Sequence, residues 1–234
     1  LCSYDGIEIW GSGTVNRGFL SGNSNARGYK MSGYDVSFGA HKRLSSYWLI
    51  GGAFCYSMQH INYNVGGSSK CQDALGAIYT LYRPASYYFL TNLTFGESED
   101  QLMRKVQLPE GNLIARSKPK ISQVTFYTEA GNDFCWECFL FQPFLGIEAE
   151  HYRRKCVKEK DGSPTKLIVS ERDQTNAFSR LGLHISALDY AFDVNFAFDI
   201  AWQYRLTRPK TNLVERFKNF GEPFEITGIP TERN

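Results

Sequence analysis

From Phe192 to Tyr204 the chain alternates with a period of two. Phe192, Val194, Phe196, Phe198, Ile200, Trp202 and Tyr204 fall on one side; Asp193, Asn195, Ala197, Asp199, Ala201, Gln203 and then Arg205 fall on the other. On a helix, at about 100° per residue, the apolar positions would scatter around the whole cylinder. On a strand they share one face. The stretch spans about 40 Å at roughly 3.3 Å per residue. A tilt of about 45° turns that into a rise of roughly 28 Å, close to the apolar band of a membrane barrel. Strands of soluble proteins usually stop after about 5–6 residues.

The same period recurs in eight earlier segments. The first lies near 6–17, "GIEIWGSGTVNR". The second, "YKMSGYDVSFGAHKR", sets Tyr34, Val36, Phe38 and Ala40 against Gly33, Asp35, Ser37, Gly39 and His41. The third, "YWLIGGAFCYSM", gathers Trp48, Ile50, Phe54, Tyr56 and Met58; the fourth, "CQDALGAIYTLY", offers Leu75, Ala77, Tyr79 and Leu81 as its apolar set. In the fifth, Tyr87, Phe89, Leu93 and Phe95 oppose Asn92, Thr94 and Gly96. In the sixth, Val124, Phe126, Thr128 and Ala130 face away from Tyr127, Glu129, Gly131 and Asp133. The seventh, "FLFQPFLGIEAEHY", sets Phe139, Phe141, Leu145 and Ile147 against Gln142, Gly146, Glu148 and Glu150. The eighth sets Leu181, Leu183 and Ile185 against Arg180, Gly182, His184 and Ser186.

The connections alternate in length. Short ones fall near 44–46, 83–86, 134–138 and 188–190; long ones near 17–28, 59–70, 97–120, 153–176 and after about 207. Short turns at one end and long loops at the other are the signature of an outer-membrane barrel. The two faces agree with it. The bulky face holds most of the Phe and much of the Tyr and Trp, whereas the other is Gly, Ser and isolated charges. A soluble sandwich or lipocalin-like barrel must enclose its large side chains, and exposed strand glycines would weaken it without gain. Turned inside out, with aromatics in lipid and small polar groups lining a lumen, the alternation is natural. The expected fold is all-β: a transmembrane, antiparallel, up-and-down barrel.

Composition narrows the picture further. The 234 residues are 42% hydrophobic with a net charge of +2, which suits one large domain and includes no basic cluster of the kind that binds nucleic acid. No apolar run approaches the roughly 18 residues of a membrane helix, and a low mean hydropathy of −0.36 is what a barrel with one polar face gives. Nine strands are an odd number, whereas bacterial single-chain barrels are even. The chain opens "LCSYDG" without an initiator Met and closes on "ITGIPTERN". We therefore expect residues 1–234 to be one barrel domain, incomplete at its C-terminus.

In this order the segments resemble the translocator barrel of the autotransporters of type V secretion. "IEIWGSGTVNRG" resembles that family's opening Trp-containing strand, and "MSGYDVSFGAHKRL" its glycine-rich second strand with an inward Asp, here Asp35. "WLIGGAFCYS", "ALGAIYTLYR" and "YYFLTNLTFGES" follow in the family's order; "FQPFLGIEAEHYR" resembles its Pro-containing strand and "SRLGLHIS" the strand after its long loop. "GEPFEITGIPTERN" looks like the lead into strand ten of twelve, and "GGAFCYS" with the scattered cysteines is similar to the polymorphic outer membrane proteins of chlamydiae. The resemblance implies a bacterial outer-membrane translocator that anchors and helps export an N-terminal passenger. It implies outer-membrane lipid, the upstream passenger and linker, and the barrel-assembly machinery as partners. A porin-like channel or adhesin barrel without export is the first alternative, and a soluble β-sheet binding protein the second.

Candidate chemistry is sparse. Cys135 and Cys138 form "CWEC" in a short connection; with Cys2, Cys55, Cys71 and Cys156 they make six cysteines. Zinc would need two more ligands, which no second C-x-x-C or paired His supplies, so a local disulfide, a cross-link to an envelope partner or an inert thiol pair are the readings. His41, His60, His151 and His184 are scattered and read as lumen or loop residues. "GGSSK" at 66–70 lacks the spacing of a phosphate-cradling loop. Neither a catalytic set, a metal site nor a cofactor is expected. The lumen-lining charges are Asp35, Glu129, Asp133, Glu148, Glu150, Arg180, Asp193, Asp199 and Arg205. They must pair, meet water or contact an inserted segment. In the family a linker occupies the pore, so the resemblance implies that some of these residues touch it.

Overall fold

Alternation this regular leaves each strand one way to pair, because a one-residue slip would turn its greasy face inward. The computed structural model describes residues 6–22, 28–64, 66–109, 111–161, 165–189, 194–207, 212–218 and 222–227. Nine long strands run antiparallel in chain order: β1 (Ile7–Leu20), β2 (Tyr29–Arg43), β3 (Trp48–Tyr63), β4 (Gly67–Tyr82) and β5 (Tyr87–Leu108) come first. A short β6 (Gly111–Ser117) pairs back on the far half of β5, after which β7 (Lys120–Asn132) takes up its near half. The hairpin strand β8 (Phe134–Trp136) precedes β9 (Phe139–Arg154). Two short strands, β10 (Val157–Lys158) and β11 (Leu167–Val169), separate it from β12 (Arg172–Asp189) and β13 (Val194–Arg205). The last strands are β14 (Asn212–Phe217) and β15 (Phe224–Thr227). Asp193 and Cys2 lie outside the described residues.

The nine-strand sheet is the wall of a barrel, with β1 and β13 as its outer strands among the described residues. Register places the bulky residues on one surface from strand to strand. Phe38 lies opposite Phe54, Leu93 opposite Phe126, Leu145 opposite Leu181, and Leu181 opposite Trp202. This surface stands bare: Ile9 is 83% exposed, Leu145 60% and Phe196 63%. So large an apolar band is at rest only against lipid. At its short-turn end Trp48 packs on Tyr82, with ring centroids 5.3 Å apart, and Trp136 and Phe134 project from the β8–β9 hairpin. These are the interfacial aromatics a membrane barrel uses as a girdle. No helix among the described residues is long and apolar enough to cross a membrane.

Three expectations need correction. On β4 the outward residues are Ala74, Gly76, Ile78, Thr80 and Tyr82, so Leu75, Ala77, Tyr79 and Leu81 face the lumen. Their apolarity serves packing on the inner wall: the Tyr79 hydroxyl meets Trp10 and His41 there. The long loops at 59–70 and 97–120 are largely strand, since β3 and β4 meet across a tight turn and β5 and β6 make a tall hairpin. The chain at 153–176 and after 207 is not plain loop either. β10, β11, β14 and β15 form a separate four-stranded sheet beyond the band, bridged to β6 by Arg116 and Lys160.

Candidate functional site: the lumen wall

With the bulky residues turned to lipid, the alternate positions of the same strands line the inside. Asp35 on β2 accepts a hydrogen bond from the Asn16 amide of β1 at 3.0 Å. Trp10 of β1 donates to the Tyr79 hydroxyl at 2.8 Å, and His41 sits between that hydroxyl and Glu8, 3.1 Å from each. These clusters tie β1, β2 and β4 together.

The densest group is on β5, β7, β9, β12 and β13. Glu129 is buried, 5% exposed, and accepts hydrogen bonds from Tyr88 at 2.6 Å and from Tyr127. His184 reaches Glu129 with Nε2 at 3.3 Å and Asp199 with Nδ1. Phe144 lies flat on the His184 ring, with centroids 4.4 Å apart and planes 12° apart. Beside this, Arg180 pairs with Glu148 at 2.5 Å and lays its guanidinium over Tyr127 at 5.3 Å. Glu150 shares the inner face of β9 with Glu148, opposite Thr125 of β7 and Asn176 of β12. Arg205 stacks over Phe178 at 5.0 Å. Toward the short-turn end, Asp133 accepts from Gln142 at 2.7 Å and faces Arg83 at 3.4 Å.

Thus Asp35, Glu129, Glu148, Glu150, Arg180, Asp199 and Arg205 all sit on the inner surface. Of the histidines, His41 and His184 face inward, while His60 and His151 lie on outward positions of β3 and β9. Cys135 and Cys138 are exposed free thiols at the β8–β9 hairpin; Cys156 is also exposed, and Cys55 and Cys71 are half-buried.

Sequence reasoning passed over the role of the inward aromatics, whose signal is a glycine on the neighbouring strand. A Cβ on Gly131 would come within 2.5 Å of Tyr88, one on Gly39 within 2.6 Å of Trp10, and one on Gly182 within 2.5 Å of Phe144. Gly51 makes room for Tyr79 in the same way. The glycines are therefore sockets. They let rings lie flat on the wall.

Chemically, the wall offers paired carboxylates, imidazole and phenols fixed by one another. Among the described residues no group of three or more His, Cys, Asp or Glu is arranged to hold a metal ion. The arrangement can present a wet, charge-balanced surface to a polypeptide passing along it.

Comparison with known proteins agrees with this architecture. The family model for the autotransporter beta-domain matches residues 9–234. Two extracellular serine proteases of Serratia marcescens align at 23% and 24% identity over 98% of the chain, which spans 22% of the length of each. The translocator domain of the autotransporter NalP from Neisseria meningitidis superposes with a TM-score of 0.77 at 11% identity, covering 92% of this chain and 76% of that one. The beta domain of the Bordetella autotransporter BrkA gives 0.57 at 17% identity, covering 91% and 86%.

Proposed function

The chain belongs to the autotransporter β-domain family, and from that premise we propose how its wall takes part in export. The domain is an outer-membrane translocator barrel, anchored by its apolar band and linked in one polypeptide to an N-terminal passenger. The Glu129–His184–Asp199 and Glu148–Arg180 groups form the surface along which the linker and passenger pass. Each charge on this surface already has a partner, so a moving segment meets hydrogen-bonding groups without a deep electrostatic trap. The barrel itself carries out no reaction; any enzymatic activity belongs to the passenger. Insertion draws on the barrel-assembly machinery of the outer membrane, and nucleic acid is not a partner.

The observation that carries the reading is the reversal of faces: exposed Phe, Ile, Leu and Trp outside, hydrogen-bonded Glu, His, Arg and Tyr inside. The test uses the complete protein, tagged upstream of the barrel, in intact cells treated with external protease. Loss of the tag with survival of the barrel is expected. A tag protected until the outer membrane is opened would point instead to a porin-like barrel that exports nothing.

A further inference from the structure

Above the apolar band, the outward face of β3–β6 carries an unusual concentration of cations. Register sets His60 opposite Lys70, Lys70 opposite Gln101, Ser68 opposite Met103, and Met103 opposite Arg116. With Lys118 they line a recess of about 280 Å³. Of the serines around it only Ser68 is on the outward register; Ser69 and Ser117 are buried on the opposite face, Ser69 bonded to Asp100. Among the described residues Lys70, Lys118 and His60 have no carboxylate at ion-pair distance, and Arg116 has only the exposed Asp161 at 3.5 Å. Basic side chains flank it on both sides, His60 and Lys70 on one and Arg116 and Lys118 on the other, with Ser68 and Gln101 between. Such a recess is built for an anion with several oxygens.

Its height decides which anion. Phe95 is the last outward aromatic of β5, and Gln101 stands three outward positions farther along. That is roughly 20 Å of strand, or about 14 Å of height at a tilt of about 45°. The recess therefore lies beyond the phosphate level of an ordinary glycerophospholipid and within the layer occupied by sugar headgroups. The rows between belong to Glu97 and Glu99, the latter facing Lys120 at 3.7 Å. These carboxylates repel a phosphate held directly at the hydrocarbon boundary and leave the basic recess above as the favourable seat.

We infer that this recess binds the phosphorylated sugar headgroup of a glycolipid in the outer leaflet. The inference rests on the membrane orientation of the proposed function. A lipid held here would pin the β3–β6 wall and its tall hairpin against the leaflet, on the side away from the lumen. Lysine charges near a membrane surface act in this way on anionic headgroups.

The test uses the complete protein, purified in detergent, and measures retention of added lipopolysaccharide. Its arms are intact lipopolysaccharide, the same material stripped of phosphate, phosphatidylglycerol, and inorganic phosphate as competitor. Wild type should hold the intact glycolipid at least tenfold more tightly than the dephosphorylated form. Phosphatidylglycerol and inorganic phosphate should compete poorly at equal phosphate concentration. Lys70→Glu with Lys118→Glu should reduce retention tenfold or more, and Lys70→Gln with Lys118→Gln gives a milder version should the reversal hinder folding. Equal retention by the glutamine variant, equal binding of the dephosphorylated form, or displacement by inorganic phosphate would each overturn the inference. Heat-modifiable migration is recorded in parallel. Its absence in wild type would count against the barrel itself, whereas a folded barrel that ignores the glycolipid would remove only the binding site.

Discussion

At the scale of the residue, the inner wall is governed by pairs in which one strand gives up a side chain so that its neighbour can keep a large one. Gly131 and Tyr88 are the clearest case, because Tyr88 is 5% exposed and its hydroxyl holds Glu129. Gly131→Val should drive Tyr88 off its rotamer and cost about 1–3 kcal/mol, the usual penalty of overpacking. Tyr88→Ala in the same chain should recover part of it, as read by urea titration of the folded barrel. Glu215, on β14 outside the membrane, shows the opposite arrangement. Burial pushes its carboxyl above the usual range; Arg104 and Arg154 pull it down and Glu159 pushes it up, without reversing the direction. The folded state thus binds the proton more tightly than the unfolded chain. Its contribution to stability is full below the ordinary glutamate pKa and is lost as pH rises through the elevated one. Protease resistance of the outer sheet should fall across that window in wild type and much less in Glu215→Gln.

At the scale of the element, period-two alternation made the nine wall strands legible, because lipid and lumen demand opposite chemistry at each step. The fourth strand shows where that logic weakens. Its inner set, Leu75, Ala77, Tyr79 and Leu81, is at least as apolar as its outer set of Ala74, Gly76, Ile78, Thr80 and Tyr82. A lumen wall that must also pack sideways admits aliphatic groups, and composition alone cannot then tell inside from outside. The lumen charges could be read from their parity, but their pairing could not. Glu129 meets His184 from 55 residues away, a contact that only the register of β7, β9 and β12 creates. The outer sheet escaped for another reason: β10 has two residues and β11 three, too few to show a period. On β7 the assignment of faces can be tested directly. Phe126→Arg should cost about 2–4 kcal/mol near the bilayer midplane, whereas Thr125→Arg, pointing into the lumen, should leave heat-modifiable migration nearly intact.

At the scale of the whole molecule, the outer sheet is fastened to the wall by the Arg116–Lys160 bridge and, beside it, by an ion pair. Arg104 of β5 grips Glu159 through two hydrogen bonds of 2.9 and 2.7 Å and reaches the Thr165 carbonyl at 3.0 Å. Glu159 also accepts the Leu167 amide at 2.8 Å, so one buried carboxylate organises both the latch and the sheet. Glu159 is buried but Arg104 is about a third exposed and can turn to water, so losing the charge-assisted hydrogen bonds costs about 1.5–3 kcal/mol. Glu159→Ala should therefore expose the 155–171 region to protease on intact cells while the barrel stays assembled, separating the stability of the sheet from that of the wall. The ring-and-socket pairs have a consequence at this scale too. A slip of two residues between neighbouring strands leaves each side chain on the face it already occupies, so the contrast between lipid and lumen cannot detect it. Such a slip would move Trp10, Tyr88 or Phe144 from a glycine onto a residue with a Cβ. The sockets thus act as a proofreading code for strand alignment, rejecting the one assembly error that the membrane would pass as correct.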